Sequence, residues 1–181
     1  MSQLKVNSIV PVGGLPSGSN GGIIQVKQTV KTDVFSQSSV SVNTFSNDTG
    51  VNVTITPTLN SSKIRITGFI NMSMSDDNGG YGIALYKGGS ILATATGDAD
   101  GNRGRVMAMS MGATYGGECR CIPFDFIDSP ATTSATTYGI RIGCFSGSST
   151  SHLYVNRPAN DDNQPYRTRS ISVITAEEVT T

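Results

Sequence analysis

Residues able to do chemistry are few in this chain and far apart. His152 is the one histidine. It lies between a Gly/Ser/Thr stretch and Leu153-Tyr154-Val155. Acid–base or nucleophilic work would need a constrained nucleophile and an orienting carboxylate beside it. The GxSxG elbow that supplies such a nucleophile is missing. His152 therefore reads as a surface residue at a strand end. Cys119 and Cys121 stand two apart on one face of an expected strand, where a mutual disulfide is geometrically poor. Cys144 is the third cysteine, and no CxxC pair exists. The three read as small buried hydrophobes rather than metal ligands or a redox couple. Asp98-Ala99-Asp100-Gly101-Asn102 starts like a calcium loop but lacks the bidentate glutamate that would close one. Asp76-Asp77-Asn78 and Asp161-Asp162-Asn163 read as solvated acidic turns. No pair of acids has a spacing that suggests glycoside hydrolysis. The expectation is a non-enzymatic protein with no catalytic, cofactor-binding or metal-binding constellation.

Composition narrows the partners. The 181 residues carry 13 basic and 13 acidic side chains, and only 14% of the chain is charged. A nucleic-acid binder would show a basic excess clustered on one face, so no nucleic-acid partner is expected. No apolar run reaches the roughly 18–20 residues needed to span a bilayer. The start, Met1-Ser2-Gln3-Leu4-Lys5-Val6, lacks a signal peptide's apolar core. The expectation is a chain made in a cytosol and soluble there until it is assembled.

The elements that must position these residues are strands. Val51, Val53 and Ile55 alternate with Asn52, Thr54 and Thr56; Ile64, Ile66, Ile70, Met72 and Met74 keep one parity against Arg65, Thr67, Asn71 and Ser73. A period of two sends the two sets to opposite sheet faces. These two stretches form the organising pair, with Pro57 closing the first and Gly68 expected to bend or bulge the second. Tyr81–Tyr86 and Ile91–Thr96 are expected to form a hairpin around Gly88-Gly89. Further strands are expected over 23–30, 34–35, 40–45, 105–111, 118–127, 138–144, 152–155 and 169–174, with no helix carrying a 3.6 period. About ten strands joined by Gly, Ser, Asn and Pro turns imply an all-β chain. The economical form is a two-sheet antiparallel jelly-roll sandwich.

Residues 1–22 differ from this head of residues 23–181. Leu4, Val6, Ile9, Val10 and Val12 make a short extended apolar arm, and Gly13–Gly22 is a Gly/Ser/Pro linker. An apolar arm on such a tether suits docking on a neighbouring protein or on copies of itself. Met107, Met109 and Met111 share a parity and could fill the core or form an adaptable subunit interface. Phe69 has the parity opposite to Ile66 and Ile70, so it should face outward and require cover from the arm or another subunit. The polar loops around 76–80, 97–104, 112–118 and 156–165 form the expected contact surface. Asp76, Asp77, Asn78, Asp98, Asp100, Arg103, Tyr115 and Arg157 are its candidate residues.

Several segments resemble one group of proteins. Leu4-Lys-Val-Asn-Ser-Ile-Val-Pro11, the glycine-rich linker and Gly22-Ile-Ile-Gln-Val26 are similar to the N-termini of many tail-fibre and other virion proteins of marine bacteriophages, cyanobacterial ones especially. Val51–Pro57 with Ser62-Lys-Ile64, Asp128–Tyr138 and Arg169–Thr175 fit the same group. The resemblance implies a jelly-roll head like the trimeric heads of tumour-necrosis-factor type, attached to a virion by the arm after assembly in the host cytoplasm. It also implies partners: identical subunits in a homotrimer, other virion proteins, and a host-surface receptor or glycan. A capsid decoration or cement protein is the alternative address for the same fold. The group offers no catalytic motif to carry over.

Overall fold

The computed structural model describes residues 22–75, 79–111, 118–145 and 150–180. Twelve strands follow one another: β1 Gly22–Lys31, β2 Phe35–Ser41, β3 Thr44–Phe45, β4 Asn52–Ile55, β5 Lys63–Met74, β6 Gly80–Lys87, β7 Ser90–Ile91, β8 Ala108–Met111, β9 Arg120–Asp128, β10 Thr136–Cys144, β11 Thr150–Val155 and β12 Ser172–Thr180. The one helical piece among them is a 3-10 turn at Ala93–Ala95.

All pairings are antiparallel and fall into two sheets. In the first, β9 lies along one edge of β5, while β12 and β11 share the other edge end to end. Beyond them lie β1, on β12, and β2, on β11. In the second, β3 and β4 share one edge of β10, β6 takes the other, and β7 and β8 share the far edge of β6. Each sheet is thus four positions wide, and following the chain through those positions gives the double Greek key of a jelly roll.

The core lies between the sheets and follows the period-two pattern. Ile64, Ile66, Ile70 and Met72 of β5 meet Ile83 and Leu85 of β6 and Tyr138, Ile140 and Ile142 of β10, all buried. Methionines 72 and 74 fill this core. Alternation along β9 sends Ile122 and Phe124 inward and leaves Cys121, Pro123, Asp125 and Ile127 exposed. Pro123 is tolerated because β9 is an edge strand and need not donate there.

Several details depart from the sequence reading. Gly68 neither bulges nor breaks the register on either side. It is a point of close approach: a Cβ there would stand 2.1 Å from the Val173 carbonyl oxygen. The Gly88-Gly89 turn forms, with both φ positive at +57° and +85°, but its second arm stops at Ile91 and enters the 3-10 turn. The strand expected over 105–111 begins only at Ala108, and Arg169–Ile171 precede β12 rather than belong to it. Conversely, β12 continues to Thr180 through Glu177 and Glu178, where its apolar alternation fades. Of the cysteines only Cys144 is buried; Cys119 is half-buried and Cys121 exposed, because odd-numbered positions of β9 face outward.

Candidate functional site

The two outer faces of the sandwich differ, and that difference locates the candidate site. On the second sheet the chain covers itself. The segment before β8 crosses β6 so closely that a Cβ on Gly82 would lie 2.6 Å from Val106 Cγ1. Phe45 and Phe145 meet edge to face at 5.4 Å, and Phe45 also meets Tyr86 at 6.1 Å. The Arg141 guanidinium stacks 4.2 Å above the Tyr86 ring. Burial pushes the Tyr86 hydroxyl's pKa up, against the neighbouring Arg141 charge. A dent of about 50 Å³ among Asp48, Asn52, Tyr86, Thr137 and Arg141 holds a few waters but no sugar ring.

The first sheet carries no such cover over its lower half. In-register positions place Val30, Val173, Phe69 and Pro123 side by side, a bar of four apolar side chains across β1, β12, β5 and β9. The next outward row is polar: Gln28, Thr175, Thr67 and Asp125. The row after it, Val26, Glu177, Arg65 and Ile127, puts charges at the centre and apolar residues at both edges. Arg65 donates from Nε to Asp125 at 3.0 Å and pairs with Glu177 at 3.6 Å. The Arg65 hydrogen bond holds the Asp125 carboxyl below its usual range. Ile23, Val26 and Ile127 are each 54% exposed, Val30 47% and Ile171 43%.

The upper half of the same face is covered by residues 156–171, an excursion between β11 and β12. Its base is a buried polar knot. Asn156, at φ +63°, donates from Nδ2 to the carbonyls of Lys31 (2.9 Å) and Asp33 (3.0 Å), and its Oδ1 accepts from Ser172 Oγ at 2.7 Å. Ser172 Oγ in turn accepts from the Asn71 amide at 3.0 Å. Asn156 therefore fills the gap where β1 gives way to β2 and β11 to β12. Arg157 is spent inside this excursion. It stacks 4.3 Å above Tyr154 and donates to the carbonyls of Pro158 and Ala159. It also pairs with Asp161, which is bound by Arg169 at 2.7 Å as well. Arg167 pairs with Asp162 at 2.8 Å, leaving Tyr166 at 66% exposure as the loop's outermost aromatic.

The loops expected to make one contact surface are split by the fold. Residues 97–104 run toward the outer face of the second sheet, and 156–165 rise from the outer face of the first. Asp98, Asp100 and Arg103 are exposed, with Arg103 and Asp100 joined as an ion pair. Asp76, Asp77, Asn78 and Tyr115 lie outside the described residues, as do Leu4, Val6, Ile9, Val10 and Val12. Phe69 faces outward and is half-buried by its row. Met109 is also outward and 54% exposed, but on the second sheet. Met107 instead packs against the core edge beside Phe124 and Phe126. The backbone of Met111 ends β8 beside Gly80. Met107 and Met109 therefore do not form one stripe, and neither shares a face with Phe69. His152 is exposed, and its backbone exchanges hydrogen bonds with Ser75.

Two buried acids escaped the sequence reading. Asp128 accepts from Tyr138 Oη at 2.6 Å and Lys87 Nζ at 2.9 Å, tying the end of β9 to the opposite sheet. Burial, then the bond to Asp128, raises the Tyr138 pKa well above its ordinary value. Glu178, fully buried, accepts from the Thr58 amide at 2.6 Å, the Thr58 hydroxyl at 3.0 Å and the Leu59 amide at 3.3 Å. Only its even-numbered place on β12, the inward parity, could have signalled this. Among the described residues no group of three or more His, Cys, Asp or Glu converges, and no helix is long and apolar enough to cross a membrane.

No protein-family model matches the chain, and no curated protein matches it. Among solved structures it is similar to one titled as infectious bursal disease virus Gx strain, at 15% identity and a TM-score of 0.44 over 98% of this chain. It is also similar to one titled as the VP2 subviral particle of that virus, at 14% identity and a TM-score of 0.42. The chain spans 42% of the length of each. Likeness this low bears on neither family nor activity.

Proposed function

We propose that the chain is a non-enzymatic structural component of a virus particle: a homotrimeric phage tail fibre or appendage, held to the particle through residues 1–22. In this reading residues 97–104, over the second sheet, are the described loop left to face the host surface, and the outer face of the first sheet packs against neighbouring subunits. The observation that carries it is the contrast between the two outer faces. One is largely covered by its own aromatics and crossing chain, with Met109 and Ile91 still exposed, while the other leaves Ile23, Val26, Val30, Ile127 and Ile171 in water on the face of the Phe69 bar. Apolar side chains gathered on one face and bordered by polar rows are the composition of a protein–protein contact. The resemblance of the N-terminal and 128–138 segments to phage virion proteins gives the contact its setting.

Light scattering on the purified full chain tests the assembly: three copies are expected, and a monomer at every concentration would remove the trimer from the proposal. A cryo-EM map of the particle then tests the address. Density on the tail is expected, whereas a copy at each lattice position of the capsid would make the protein a decoration protein instead.

A further inference from the structure

The cover on the second sheet's outer face encloses a cavity larger than the dent beside Tyr86. It lies between the β2–β3 turn, the loop before β8 and Phe145, and measures about 360 Å³. Small-ligand sites span roughly 300–1,000 Å³, so this one has room for a ring compound. Val42, Val106, Met109 and Phe145 give it apolar walls. Asn43 on the turn and Asn102 and Arg103 on the loop give it a polar, exposed rim.

Backbone hydrogen bonds pin each wall. The Asn43 amide donates to the Cys144 carbonyl at 2.8 Å, and the Phe145 amide to the Gly80 carbonyl at 2.8 Å. The Gly97 amide donates to the Val106 carbonyl at 3.0 Å, and Arg105 Nε to the Gly97 carbonyl at 2.7 Å. These two bonds close the loop on itself. Gly104 lets that loop lie directly on the aromatic wall: a Cβ there would stand 2.2 Å from Phe145 Cδ1 and 3.3 Å from Asn43 Oδ1. The cavity is therefore preformed, and filling it costs little ordering of the chain.

The rim decides what could fill it. Among the described residues the side-chain amides of Asn43 and Asn102 make no hydrogen bond, and each offers donors and an acceptor together. Arg103, the charged side chain lining the cavity, is joined to Asp100 as an ion pair. A phosphate or carboxylate would need an unpaired cation, whereas a neutral hydroxyl, which also donates and accepts, matches this rim. We infer that the cavity binds a neutral sugar ring, its C–H face against Phe145, Val106 and Met109 and its hydroxyls on Asn43, Asn102 and Arg103. This gives the host-facing residues 97–104 a ligand class, and it rests on that reading for its setting alone.

An NMR titration of the full chain with methyl-labelled methionine tests it, using the methyl glycosides of glucose, galactose, mannose and N-acetylglucosamine as probes. The Met109 methyl signal, identified by its loss in Met109→Leu, is expected to move saturably with at least one of them. The expected Kd is on the order of 1–10 mM, as suits a single ring. Asn102→Ala with Arg103→Ala is expected to weaken that binding at least about fivefold, while the other methionine signals stay in place. No saturable shift with any of these sugars would overturn the inference, as would undiminished binding by the double variant. So would a stronger response to N-acetylneuraminic acid or inorganic phosphate, which assigns an anion to Arg103. The titration needs neither particle nor trimer, and light scattering and cryo-EM need no sugar, so either proposal can fail alone.

Discussion

Glu178 shows how one buried acid sets the pH range of this fold. Burial pushes its carboxyl up, but the nearby Ser62 hydroxyl, the Thr58 amide and hydroxyl and the Leu59 amide outweigh that and hold it below the usual carboxylate range. A depressed folded-state value means its contribution is fully present above the unfolded pKa, near 4.3. The contribution is lost as pH falls through the folded value. Glu178→Gln is therefore expected to cost about 2 kcal/mol at neutral pH. That gap should close below the usual carboxylate range, as measured by urea unfolding of both proteins across pH. Asn156 offers a second test at this scale. Its side chain satisfies two carbonyls and Ser172, and its backbone has the φ of +63° that asparagine and glycine tolerate. Asn156→Gly loses only the hydrogen bonds. Asn156→Ala loses them and adds backbone strain, so it should be the less stable of the two by about 1 kcal/mol, read from the same unfolding curves.

Strand β5 is the element on which the first sheet depends, since it pairs with β9, β11 and β12. The Gly68 contact with the Val173 backbone makes that pairing intolerant of a side chain. Because backbone cannot yield as a flexible side chain would, Gly68→Ala is expected to cost more than about 3 kcal/mol or to prevent folding. Gly22→Ala, where an added Cβ meets nothing, should change stability by less than about 0.5 kcal/mol. Thermal unfolding of the pair reads the contrast. The same strand shows what was legible at this scale. The parity of Ile64, Ile66, Ile70, Met72 and Met74 identified the strand and its buried face. That the glycine marks a close approach was not legible, because the atom it meets is 105 residues away.

For the whole molecule the deciding quantity is which outer face remains uncovered. Pro123 and Ile127 lie on β9, at the edge of the first sheet opposite β1. Substituting both by aspartate is expected to leave the fold's stability within about 0.5 kcal/mol, because both are exposed. If that face is the subunit contact, the pair should weaken self-association at least about tenfold. Sedimentation of the substituted and unsubstituted chains measures this. Unchanged association would move the interface elsewhere, to the second sheet around Met109 for instance.

The amino-acid sequence alone determined the class of fold, because alternation at a period of two is local and needs no knowledge of partners. It placed Phe69 outward for the same reason. It could not separate Met107 from Met109, since the residue that starts a strand is chosen by pairing with β6. Nor could it show that loops 97–104 and 156–165 lie over opposite sheets. Those facts depend on contacts between segments distant in sequence. The tertiary structure alone decided them, and with them which face of the sandwich is left for a neighbour.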